Sequence, residues 1–210
     1  MNDTLSLPTG TWHNEILVAM QQTVNPSVVN HCIRSFLWAR LYAEHIGALD
    51  DAAYDENLLF AACVGHDLST GTLGKGTSRF EVEGADLVAD ILTRHHLAAA
   101  DVDRVWEAIA LHTSDQIAER RGLITRLTYE GIYIDFGKNA DLVTDWATQV
   151  HHAFPRLKMV RSLTDVIVAH AALSENAVPR YGIAFNLVRE RETDGETFME
   201  RTVSQGPWGE

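Results

Sequence analysis

The sequence predicts an all-α fold built as a single domain, and three observations carry that prediction. Apolar residues recur at three- and four-residue spacing along nearly the whole chain, the period of an amphipathic helix. Alternating patterns of strand type are scarce, and no segment repeats another. The 210 residues, 46% hydrophobic and 22% charged, suit one domain with a substantial core.

The first helix is read from "TWHNEILVAMQQ". Asn25-Pro26-Ser27 then supplies a cap with proline in the first turn, opening a long helix from Val28 to about His45. His31, Ser35, Trp38 and Tyr42 share one face of it. "YDENLLFAACVGHDL" is a third helix, with Leu59, Ala62, Cys63 and His66 along one stripe. The glycine-rich "STGTLGKGTSR" is a loop. Its Lys75 lacks the spacing of a phosphate loop, so the segment is at most a mobile lid. Helices follow from Gly84 through "ADLVADILTRHH" and from Asp101 through "VDRVWEAIALHT". "LITRLTY" is a helical link rather than a strand, and helical patterns return at about 131–152 and 156–173. Beyond "VPRYG" the chain is more polar, and "SQGPWGE" is expected to fray. The organisation is an N-terminal helical extension (1–24), a central domain (25–173) and a C-terminal extension (174–210) that packs on it and ends polar.

Seventeen basic against 29 acidic residues give a net charge of −12, a field that repels a phosphate backbone. Nucleic acid is therefore not an expected partner, although a single nucleotide could be met by a metal ion. No run approaches membrane-spanning length, and "MNDTLSLPTG" has neither the basic nor the apolar region of a secretion signal. Cys32 and Cys63 sit in helical patterns without CxxC spacing, as in a reduced, cytoplasmic protein. The expectation is a cytoplasmic chain with a small-molecule substrate and no membrane partner. Exposed aromatics such as Trp146 permit a homodimer.

Chemistry concentrates at His66-Asp67. Neighbours on a helix point about 100° apart, so an adjacent pair serves one partner only where the helix ends. An imidazole nitrogen and a carboxylate oxygen are both good ligands for a borderline divalent metal; the plainer alternative is that the two residues cap the helix. Two ligands alone rarely hold a catalytic metal. His31 points inward on its stripe. Asp135 lies on the buried stripe with Ile132 and Asn139, a costly place for a carboxylate without a cation or hydrogen bonds. His112 ends a face made by Val105, Ala108 and Ile109, and Asp165 falls off the stripe of its own helix. His13, His45, His151, His152 and His170 have no partner at a telling spacing, and His95 and His96 match no pattern.

The order "NHCIRS", "GHDL" and a much later Asp resembles the HD-domain superfamily, named for its H…HD…D metal ligands. "NHCIRSFLWARLYA", "YDENLLFAACVGHDLS", "RFEVEGAD" and "WEAIALHTS" together are similar to the branch that contains fungal cyanamide hydratases. The resemblance spans roughly residues 25 to 170 and identifies the central segment as an HD-domain helical bundle. It implies metal ligands His31, His66, Asp67 and Asp135. Dinuclear members usually carry a further His just before a Gly-Ala, where this chain has "RFEVEGAD", so one divalent transition metal is expected, zinc first, then iron or manganese.

The activity this implies is a hydrolase or lyase that activates water for addition to a small polarised substrate, such as cyanamide or a nitrile. His112 is the expected acid–base partner, or else a helix-terminal His bonded to the last carbonyls. Glu83 could orient a substrate amine or shuttle a proton, or simply answer the helix dipole. Arg34 could bind a phosphate or carboxylate of the substrate. A nucleotide phosphohydrolase is the alternative and would need Arg34 and Lys75 near the metal. A metal-holding sensor without turnover is the alternative of another class.

Overall fold

The computed structural model describes residues 5–209, so the first four residues of the N-terminal extension and Glu210 lie outside the described residues. Among those described there are ten α-helices, four short 3-10 turns and no strand, as the periodicity predicts. They are α1 (Thr11–Thr23), α2 (Pro26–His45), α3 (Glu56–Gly65), α4 (Phe80–Arg94) and α5 (Ala99–Ala110). Then come α6 (Leu123–Asp135), α7 (Thr144–Ala153), α8 (Met159–Ala171), α9 (Ile183–Asp194) and α10 (Phe198–Ser204).

The core forms around α2 and α3. Asn25 accepts a hydrogen bond from Ser27 N and Pro26 fills the first turn, which starts α2 as expected. Asp55 accepts from Asn57 N and Leu58 N to start α3, and every residue from Leu58 to Gly65 is buried. The most extensive helix pairing is α2 with α6. Gly131 allows it: a Cβ there would run into the backbone oxygen of Ser35 and the Ala39 side chain. Two helices in such close approach bring the inward residues of each within hydrogen-bond reach.

Three expectations need correction. The helix expected from Gly84 begins at Phe80, one turn earlier, with Glu81 and Glu83 in its acidic first turn. The pattern at 131–152 is two helices: "LITRLTY" opens α6, which ends at Asp135, and a turn with Gly137 (φ 102°) and Asn139 (φ 54°) separates it from α7. Both residues hold left-handed backbone, which stops a helix. The polar tail holds two further helices. Gly195, at φ 74°, ends α9, and Thr197 and Glu200 form a reciprocal capping box that starts α10.

The final segment, described as far as Gly209, does not fray there. Trp208 stacks on Trp38, centroids 6.1 Å apart and planes 6° apart, and its Nε1 donates to Ile134 O at 2.6 Å. Trp146, read as an exposed aromatic, lies half-buried against the core. No helix among the described residues is long and apolar enough to cross a membrane.

Candidate active site

Helix α3 delivers His66 as its last capping residue, and the chain turns at Asp67. That turn lets adjacent side chains converge, with His66 Nε2 3.2 Å from an Asp67 oxygen. Asp67 makes no capping hydrogen bond, so helix capping does not account for it. His31, from α2, completes the group. One ligand atom from each of His31, His66 and Asp67 lies within 4.8 Å of the other two, and all three residues are buried.

Each histidine around this point has its Nδ1 fixed. His31 Nδ1 is 2.7 Å from Asp135 Oδ2, His66 Nδ1 is 2.7 Å from Cys63 O, and His112 Nδ1 is 2.6 Å from Ile109 O. A carbonyl or carboxylate oxygen only accepts, so Nδ1 carries the proton and Nε2 remains for the site. His31 Nε2 is buried with no hydrogen-bond partner. Such an atom costs stability unless something takes its lone pair. A divalent cation fits, since nitrogen and carboxylate donors of this kind hold zinc, iron or manganese.

The electrostatics agree. Burial opposes charge on His66, but the Asp67 carboxylate outweighs it and holds the imidazole pKa well above its ordinary value. Burial likewise opposes charge on Asp67, yet His66 holds it down at about 2. Without a cation, the positive charge at this point is therefore a proton on His66. Burial first, and then the His66 charge, lowers His112 to about 4, so at neutral pH its Nε2 is an acceptor. The His66 and His112 rings meet edge to face, 4.8 Å between centroids.

Four other candidates take different places. Asp135 stands behind His31 rather than beside it. Its carboxylate accepts from His31 Nδ1, Arg34 Nε and Arg34 Nη2 at 2.7 Å each, and from Trp38 Nε1 at 3.0 Å. Burial pushes this carboxyl up, but Arg34 and His31 together hold it well below the usual range. Arg34 is correspondingly turned from any substrate, with its remaining nitrogen bonded to Phe154 O and Pro155 O. Glu83 also faces elsewhere. It accepts from Lys75 N, Gly76 N, Thr77 Oγ1 and His170 Nε2, which fastens the glycine-rich loop instead of leaving it as a lid. Asp165 pairs with Arg191 on the far side of α8 from the core.

The cluster opens into a cavity of about 290 Å³. His112, Thr113 and Thr202 adjoin it, and the rest of the wall is aliphatic and aromatic, with Tyr133 in the last turn of α6, Phe136 just after it, and Leu163 and Ile167 on α8. No lysine or arginine is among the described lining residues. The sequence reading missed Glu81, which is buried beside this wall. It accepts from Thr113 Oγ1 at 2.7 Å and pairs with Arg79. Its signal was the stripe of Glu81, Ala85, Val88 and Leu92, visible only once the helix starts at Phe80.

Comparison with family models matches residues 28–171 to one described as the HD domain. That span contains His31, His66, Asp67, His112 and Asp135, and it ends before α9. Comparison with curated proteins gave no match.

Proposed function

The chain belongs to the HD-domain family, and from that premise we propose that it is a metal-dependent enzyme adding water to a small, polarised, uncharged substrate. Metal-dependent hydrolysis, typically of phosphoesters, is the general activity of HD domains. The observation that carries the reading is the buried, unpartnered His31 Nε2 beside His66 and Asp67. A cation held by these three, zinc first and then iron or manganese, would act as a Lewis acid that acidifies water and polarises the substrate.

The protein's own groups do the rest. His112, neutral at pH 7, accepts the proton of the attacking water at Nε2 and returns it to the product. Thr113, held by Glu81, offers its hydroxyl oxygen to a substrate hydrogen. Asp135 and Arg34 fix the His31 ring, a positioning role typical of carboxylates behind metal-ligating histidines. The apolar wall excludes bulk water and strengthens every charge inside.

In its specific form the reaction is hydration of a nitrile-type carbon, of which cyanamide is the simplest substrate. The four sequence blocks and the lack of cations in the lining support this form. A nucleotide phosphohydrolase is less well supported, because Arg34 is committed to Asp135 and Lys75 is exposed outside the cavity wall. The test is elemental analysis of protein purified without chelator, followed by assay of that sample on nitriles and on phosphoesters. Stoichiometric metal with nitrile hydration is expected. Turnover of phosphoesters alone would favour phosphohydrolysis, and a loaded protein inert on both would be a sensor.

A further inference from the structure

Helices α9 and α10 lie outside residues 28–171, yet they build one wall of the cavity through Ile183, Phe198, Met199 and Val203. We propose that this wall selects substrates whose reacting group is carried on an uncharged, apolar body, alkyl or aryl. The proposal rests on the hydrolytic reading above and names its substrate class.

Size is the first argument. A cavity of about 150 Å³ accommodates benzene, and this one, at about 290 Å³, far exceeds what a bare polarised head group needs. Chemistry is the second. Beyond the cluster, His112, Thr113, the Tyr133 phenol and Thr202, whose hydroxyl donates to Phe198 O, the wall offers only carbon and the Met199 sulfur, with no cation to replace the hydration of a phosphate or carboxylate. The third is Phe198, which is 63% exposed although it lines the cavity. A large aromatic at the open end gains most from covering an apolar ligand. The wall is also held in place before any ligand arrives. A helix as short as α10 is unstable alone, but Arg191 grips Glu200 with two nitrogens, at 2.6 and 2.9 Å, and the Thr197–Glu200 capping box fixes its start.

The test is a chain-length series. Alkyl hydroxamates from acetohydroxamate to octanohydroxamate are titrated calorimetrically into zinc-loaded protein, and neutral amides from acetamide to octanamide into chelated protein by ligand-observed NMR. Each buried methylene is worth about 0.8 kcal/mol, so affinity should rise about fourfold per carbon and level off as the chain reaches Phe198. Phe198→Ala and Met199→Gln should flatten the rise while leaving acetohydroxamate affinity unchanged. Affinity independent of chain length in both series overturns the proposal, as does AMP binding more tightly than hexanohydroxamate. A rising amide series with no acetohydroxamate binding keeps the apolar site and overturns the hydrolytic reading instead.

Discussion

Asp135 carries a full charge at a point with no access to water, and its four donors explain how. Asp135→Asn keeps the volume but leaves Arg34 a buried cation with a neutral partner. Breaking a buried pair costs about 3–5 kcal/mol, so denaturant unfolding should show a loss of that order with chelator and with metal alike. A loss seen only in the metal-loaded protein would make Asp135 a ligand after all. His66 yields a second prediction. Its pKa is raised by Asp67, against burial, so the pair's contribution in metal-free protein is full below the unfolded histidine value near 6.5. It is lost as pH rises through the raised value. A cation must displace that proton, so metal affinity should climb about tenfold per pH unit through neutrality. Calorimetry in buffers of different ionisation enthalpy should find about one proton released per ion; no release would remove His66 from the ligand set.

Between elements, the decisive contact is the approach of α2 to α6 at Gly131. In an exposed helix Gly→Ala would stabilise by about 1 kcal/mol, but here the new Cβ meets Ser35 O and Ala39. Overpacking of a tight interface costs about 1–3 kcal/mol, so Gly131→Ala should destabilise on balance. It should also loosen metal binding by shifting Asp135 away from His31, whereas an unfolding midpoint at or above wild type would refute the close packing. This contact also shows what the sequence could express. The inward direction of His31 and Asp135 was legible from helical stripes, and the convergence of His66 with Asp67 from their adjacency at a helix end. A stripe gives a direction but no depth, so nothing in it said that Asp135 would stand behind His31, paired there with a fully buried Arg34. Glu81 and Glu83 are both buried but 200° apart on one helix, so a start misjudged by one turn hid which of them stands beside the cavity wall. The start of α10 was legible in the Thr197-x-x-Glu200 capping spacing, which the sequence reading passed over, whereas its anchoring to Arg191 and the seat of Trp208 on Trp38 join residues from separate elements with no local period.

At the scale of the whole molecule, α2, α3, α5 and α6 surround the cluster, the last two helices wall the cavity it opens into, and Trp208 packs on Trp38 of α2. The unfolded chain has no such site, so a cation that binds His31, His66 and Asp67 stabilises only the native state. The gain is RT ln(1 + [L]/Kd), about 2.7 kcal/mol at a hundredfold excess over Kd. For a chain of this length each kcal/mol moves the melting temperature by about 2–4 °C. Saturating zinc should therefore raise the melting temperature of chelated wild type by on the order of 5–10 °C. Asp67→Ala removes one ligand and leaves the helices capped as before, since Asp67 makes no capping bond. Its far-ultraviolet circular dichroism should match wild type while the shift with zinc disappears. A shift that survives in Asp67→Ala would mean the cation binds elsewhere on a chain of net charge −12. Equal melting of loaded and chelated wild type would mean that the unpartnered His31 nitrogen is a cost the fold bears without metal.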